Sequence, residues 1–306
     1  MTPITALLVA LSATAVGFVA AWKRAVRSLR RDPATHAIPS GDATRPGWIH
    51  LGIGAVTNFF DTLGIGSFAT TTTVYRLRKL VADELIPGTL NVGHTLPTIA
   101  QALIYTTIIE VDMLTLIAMI VASVAGAWLG AGIVSRWSRR RVRIGMGCAL
   151  LAAAILMCMT QLGLFPAGGD TLGIRDTRLA IGLAGNFALG ALMTLGIGLY
   201  APCMILVSLL GMNPRAAFPI MMGSCAFLMP VGSLRFIRER KYSLRAAIGL
   251  AIGGVPGVLL AAFIVKSLPL EVVRWLVIVV VVYAAIGLIY AGLKQRDDMP
   301  GVAKKI

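Results

Sequence analysis

The chain has 306 residues, of which 57% are hydrophobic and 13% charged, at a mean hydropathy of +0.84. Soluble domains carry about 25% charged residues, so this chain lacks the polar surface to cover water-facing domains, and a membrane protein is expected. Lys and Arg number 28 against 13 Asp and Glu, a net +15, which admits nucleic acid, lipid headgroups or membrane orientation as its meaning.

A membrane span needs about 20 apolar residues. The first stretch, 1–22, has no positive charge before it and Lys23, Arg24, Arg27, Arg30 and Arg31 directly after it. That order predicts an uncleaved transmembrane helix with its N-terminus outside. A polar, basic connector over 23–47 follows on the cytoplasmic side. Clear spans are expected at 86–108, 113–135 and 142–164, and again at 218–237, 246–266 and 272–293. Two further apolar regions, 48–75 and 178–210, are each interrupted by Leu-Gly-Ile-Gly, at Leu63 to Gly66 and Leu195 to Gly198. Glycine pairs of this kind unwind a helix cheaply. Cys148, Cys158, Cys203 and Cys225 lie in apolar stretches without metal-site or disulfide spacing, and read as buried free thiols.

The recurrence extends further. At an offset of 132, Thr62, Gly64, Gly66 and Pro87 meet Thr194, Gly196, Gly198 and Pro219; at 131, Gly126 and Arg143 meet Gly257 and Arg274. This divides the chain into transporter repeat 1 (48–164), a periplasmic linker (165–177), transporter repeat 2 (178–294) and a cytoplasmic tail (295–306). Matched loops carry opposite charge: Ser138 to Arg143 holds four arginines where Pro269 to Arg274 holds one. The acidic turn Glu110-Val111-Asp112 corresponds to Arg238-Glu239-Arg240-Lys241. Basic loops stay cytoplasmic, so equivalent loops fall on opposite sides, as in an inverted repeat. An odd number of crossings per half then requires each glycine-broken region to dip in and return. The expected fold is all-α and polytopic, with two inverted repeats, each a re-entrant broken pair plus three transmembrane helices, behind one extra N-terminal helix.

Half-helix ends deep in a membrane attract anions at their N-termini, and irregular backbone survives there when it lines a cavity. Substrate contacts are therefore expected at Gly64, Gly66, Ser67, Thr70 and Thr71 around the first break, and at Gly196, Gly198 and Cys203 around the second. The next helix of each half adds Asn91, His94 and Thr95 on one face, and Ser224 and Cys225. Thr hydroxyls that bond back to their own helix are the bland alternative for the threonine run, and core filler is that alternative for the cysteines. Asp61 is the acidic residue placed inside an apolar region; with His94 it is a candidate for carrying a coupling proton. No metal site, cofactor or direct ATP use is implied, since neither a ligand cluster nor a phosphate loop is present. An isolated Ser67–His94 pair would be the starting point for a membrane-embedded enzyme.

The paired Gly-Ile-Gly segments, Gly64-Ile65-Gly66-Ser67 with Pro87-Gly88-Thr89 and Gly196-Ile197-Gly198 with Pro202 and Pro219, resemble the sulfite exporter TauE/SafE (TSUP) family over about 48–293. Many members have Gly-Ile-Gly-Gly-Gly and a later proline at the first break; here Ser67, Phe68 and a threonine run stand instead. The resemblance implies a bacterial inner-membrane carrier of sulfite, organosulfonates or related small anions. The expected function is a proton-linked secondary transporter working by alternating access, its C-terminus cytoplasmic; the alternatives are a non-sulfur organic-anion carrier or a membrane enzyme. Expected partners are the small anion and the lipid bilayer. Nucleic acid is not expected, because the basic clusters are short caps between spans; a homo-oligomer is compatible.

Overall fold

The structure, a computed structural model, describes residues 3–31, 46–63, 65–105, 110–164, 168–195, 198–263 and 271–294. Eleven α-helices lie among them: α1 (Pro3–Arg31), α2 (Trp48–Thr62), α3 (Ser67–Leu77), α4 (Ile86–Tyr105), α5 (Met113–Val134), α6 (Arg139–Gln161), α7 (Asp176–Met193), α8 (Tyr200–Leu209), α9 (Ala217–Arg238), α10 (Leu244–Phe263) and α11 (Glu271–Lys294). Among the described residues, six segments are long and apolar enough to cross a membrane: Ile4–Ser28, Met113–Val134, Arg139–Gln161, Pro214–Arg238, Leu244–Phe263 and Trp275–Lys294. The chain is an all-helical polytopic membrane protein. Its outward residues, such as Val121, Leu129, Ile252, Leu260, Val279 and Ile286, are apolar and exposed, the surface that hydrocarbon requires.

The structure revises several expected boundaries. α1 continues to Arg31, nine residues into the expected connector, because Arg, Lys, Ala and Leu are good helix formers, and Lys23, Arg24 and Arg27 are exposed. α7 starts at Asp176, within the expected linker. α4, expected as a clear span, is not among the six apolar segments. It buries Asn91, His94, Thr95, Thr98 and Gln101, and a helix enclosed by other helices need not match lipid. Cys148 is exposed and Cys158 half-exposed on α6; Cys203 and Cys225 are buried.

The element order of 48–161 recurs over 176–294. Shifting α4 by 132 gives 218–237, against 217–238 for α9. The same shift carries Lys79, at φ 52°, onto Gly211, at φ 81°, so both short arms end in a left-handed residue. Packing partners exchange in the same way: α2 lies on α10 as α7 lies on α5, α4 packs on α10 as α9 does on α5, and the equivalent pairs α4/α9 and α6/α11 touch directly.

Directions follow from the residues that meet. Gly88 faces Phe236 and Asn91 faces Gly232, so α4 and α9 run antiparallel; Gly147 faces Ala285 and Gly292 faces Ile144, so α6 and α11 do too. Asn58 bonds His94 and Thr62 bonds Gln101, so α2 and α4 run parallel. The chain therefore enters both from one end, and α3 brings it back. In the second half, α7 parallels α5 through Ser123–Gly190 and Gly130–Thr194, and α5 parallels α9 through Ile120–Gly223 and Ala131–Gly232. α8 is the matching return arm.

Basic connections converge on one end of the bundle. Trp22 donates to Tyr242 (3.3 Å), Arg139 pairs with Glu84 (3.2 Å) and Arg136 approaches Glu239 (3.8 Å). A full crossing of the broken regions would have put Arg136 and Glu239 on opposite sides. The other end gathers Asp112, Thr171, Arg175 and Asn213. There Asp112 caps α5, accepting from the Thr115 amide (2.8 Å), and takes a two-pronged contact from Arg175 at 2.8 and 2.9 Å. The Arg175 guanidinium, with the Thr115 amide, holds the Asp112 carboxyl well below the usual carboxylate range. A lowered carboxylate stabilises the fold above its unfolded pKa of about 4 and loses that contribution as pH falls through the folded value. Arg175 is half exposed, so the pair itself adds little; the cap dominates. Asp112→Ala should lower stability at pH 7 by about 1 kcal/mol. Thermal unfolding in detergent should give a wild-type and variant difference that shrinks only at strongly acidic pH.

Candidate functional site

Two closely spaced changes of chain direction create the site. α2 ends at Thr62, Gly66 takes φ 86°, and α3 starts at Ser67. The left-handed angle is one that glycine adopts without strain. Gly64, Gly196 and Ile197 lie outside the described residues. Both breaks nevertheless open on one cavity of about 60 Å³: Gly66 and Ser67 reach it from the first half, Gly198 and Leu199 from the second. That is room for a few waters or one small polyatomic ion.

The lining is chemically mixed. Asp61, Ser67, Thr98 and Gln101 supply its polar groups, and Met193, Met221, Met222 and Cys225 its sulfur atoms, with Phe68 and Leu199 also in the lining. Cys225 Sγ lies 3.8 Å from Met193 Sδ. Asp61 organises the polar groups: its Oδ1 accepts from the Ser67 amide at 2.7 Å, and its Oδ2 from Gln101 Nε2 at 3.0 Å. The carboxylate thus occupies the positive end of α3. At the start of α8 the N-cap residue is Leu199, whose apolar side chain accepts no hydrogen bond from that end.

Of the residues expected to touch substrate, Gly66, Ser67, Gly198 and Cys225 line the cavity, as does Asp61. Thr70 Oγ1 bonds back to the Gly66 and Ser67 carbonyls at 2.9 Å each, the bland reading of that hydroxyl. Thr71, Asn91, His94, Cys203 and Ser224 are buried away from the lining. His94 is held on both sides, Nδ1 3.0 Å from Asn58 Oδ1 and Nε2 3.1 Å from Thr71 Oγ1. Both ring nitrogens are taken, so no Ser67–His94 pair forms. The aromatic face of His94 lies behind Phe68, ring centres 5.6 Å apart. Ser224 accepts from Asn186 at 3.0 Å, fastening α9 to α7. Among the described residues no group of three or more His, Cys, Asp or Glu could hold a metal ion.

Thr98, Gln101, Phe68, Leu199, Met193, Met221 and Met222 escaped the sequence reading. Thr98 and Gln101 continue the face begun by Asn91 and His94 at helical spacing, a signal that was present. Met193 is the repeat counterpart of Asp61, so the internal register marked it as well.

Two half-helix breaks meeting at one small cavity, inside a bundle with a lipid-facing exterior, mark a polytopic membrane protein with an internal site. The sequence pattern of the sulfite exporter TauE/SafE family matches residues 1–157 and 178–305, and the chain belongs to that family. The interval between the matched blocks contains the connection from α6 to α7. No curated protein and no solved structure matches the chain.

Proposed function

We propose that this protein is a secondary carrier of a small sulfur-containing anion, sulfite or an organosulfonate, and that it is proton-linked. The observation that carries the reading is the opening of both glycine breaks on one cavity. Oxyanion oxygens would take the amides at the start of α8 and the donors Ser67, Thr98 and Gln101, while the thioethers and Cys225 pack against the sulfur and carbon part. The basic end would face the cytoplasm of a bacterial cell and the Asp112–Arg175 end the outside, with the N-terminus outside. The inverted halves would exchange access by rocking about the breaks.

Asp61 supplies the coupling. Ionised, it competes with the anion for the positive end of α3. Protonated, it no longer offers a charge to the Ser67 amide, and that end is free to hold an oxyanion. Proton and anion therefore enter the site together. Nothing in this scheme needs a covalent step, and His94 is already satisfied, so a carrier fits the site better than an enzyme.

Counterflow in proteoliposomes tests the substrate. Labelled sulfite or a sulfonate inside should drive uptake of the same class, with carboxylates at least tenfold poorer. Equal exchange of carboxylates would move the assignment to a general organic-anion carrier. No exchange of any anion by folded protein would overturn the carrier reading.

A further inference from the structure

A second, larger cavity lies at the basic end, outside the transport site. It measures about 640 Å³, roughly ten times the central one, and lies between the end of α3 and helices α6 and α11. Arg76, Lys79, Arg139 and Arg143 line it with a single carboxylate, Asp83. Arg76 Nη1 and Arg143 Nε both bond the same oxygen, Asp83 Oδ2, at 2.9 and 2.7 Å, and both side chains are largely buried, at 19% and 17% exposure. Counting Glu84, which pairs with Arg139 at 3.2 Å, the described lining keeps an excess of two positive charges. Arg76 and Arg143 form the buried part of the wall, and Lys79 and Arg139 are exposed at it, so an anion entering the cavity would meet cations on several sides.

The position narrows the chemistry of that anion. Tyr283 of α11 forms part of the wall and is strongly exposed. Val279 and Leu276, one and two turns earlier on the same lipid-facing stripe, are exposed as well. Because α6 starts at the basic end and α11 runs against it, this stripe leads from the cavity toward the middle of the membrane. A basic chamber at headgroup depth, continued by an apolar track, suits a molecule with an anionic head and an acyl tail. The second half has no equivalent, since Arg76 and Asp83 correspond to Ser208 and Arg215.

We propose that the Arg76–Lys79–Arg139–Arg143 chamber binds the phosphate headgroup of one anionic phospholipid per chain, its tail lying along α11. Arg76 also donates to the Gly287 carbonyl at 2.8 Å, so the headgroup seats where the return arm α3 is fastened to α11. The proposal needs only the membrane setting, not the identity of the transported anion.

Native mass spectrometry of the full chain, released from phosphatidylcholine nanodiscs doped with phosphatidylglycerol, provides the test. Wild type should retain one phosphatidylglycerol. The double variant Lys79→Gln/Arg139→Gln, which leaves the buried Asp83 cluster intact, should bind it at least about tenfold more weakly. A control pair at the same end, Arg238→Gln/Arg240→Gln, should change binding by less than about twofold, and neither inorganic phosphate nor sulfite should displace the lipid. Equal weakening in the control pair would reduce the effect to bulk surface attraction and overturn the proposal. Displacement by free phosphate or sulfite would make the chamber a vestibule for soluble anions and overturn it too. Unchanged melting of both variants in detergent separates lost binding from lost fold, and Arg143→Lys, which keeps the charge, should retain the lipid.

Discussion

Asp61→Asn should leave the protein folded but strip anion binding of its pH dependence. In wild type, apparent affinity for a sulfonate, whose own charge does not titrate near neutrality, should rise as pH falls, because protonation frees the start of α3. Asparagine imitates the protonated acid. It keeps an acceptor for the Ser67 amide and a partner for Gln101, so binding should be tight at all pH values, while proton movement with the anion falls at least tenfold. Asp61→Ala separates the two roles. It leaves the Ser67 amide without its cap and Gln101 with Thr62 as its remaining partner, and should cost about 1–3 kcal/mol of stability besides. A pH-sensitive dye trapped in proteoliposomes reads the proton, and equilibrium binding reads the anion. Retained pH dependence and proton flux in Asp61→Asn would leave Asp61 a purely structural cap.

The second large effect lies in the helix contacts that hold the two halves together. Gly249, Gly253 and Gly257 of α10 meet the α2 backbone at His50, Leu51 and Ala55; Gly126 of α5 meets the Phe187 carbonyl of α7, and Gly190 meets Ser123. A Cβ would overlap backbone of the neighbouring helix, or at Gly249 the His50 Cβ fixed to it, and neither can move aside as the end of a flexible side chain can. Close approach through small residues is how helices associate in lipid, where no hydrophobic drive remains. Gly126→Val and Gly253→Val should each destabilise by about 3 kcal/mol. Gly198→Ala is the contrast, since a Cβ there meets nothing within 4 Å, and its melting in detergent should stay near wild type. Equal tolerance at all three positions would mean that the contacts relax freely.

Legibility in the sequence followed how each property is encoded. Membrane character and the apolar helices were readable because hydrocarbon imposes composition directly on the exposed face, as in α5, α10 and α11. The break at Gly66 was readable because positive φ selects glycine. α4 was harder to place, since a helix surrounded by protein answers to its neighbours rather than to lipid; its polar face ran on to Thr98 and Gln101, beyond where the reading stopped at Thr95. For Thr70 and His94 the sequence offered two readings each and could not choose between them. A hydroxyl beside a break looks the same whether it points at a cavity or at the carbonyl four residues back, and only distant Asn58 and nearby Thr71 decide that His94 is held rather than offered. The sulfur atoms of the lining were hidden because Met221 and Met222 are ordinary core residues until the antiparallel crossing of α4 and α9 brings them to one cavity with Gln101.

The exchange of partners between the halves also bears on how the chain comes to be assembled. α2 completes itself against α10, and α7 against α5, so neither half carries a finished surface of its own. After synthesis of the first 164 residues, the glycine faces of Gly54, Gly126 and Gly130 would still be bare, waiting for helices not yet made. The two halves stand to each other as two chains of a domain-swapped dimer would, joined end to end. The chain between α6 and α7 joins the halves, with Gly169, Thr171 and Leu172 bonded to Met212, Asn213 and Asp112, and the interlocked arms provide the fastening.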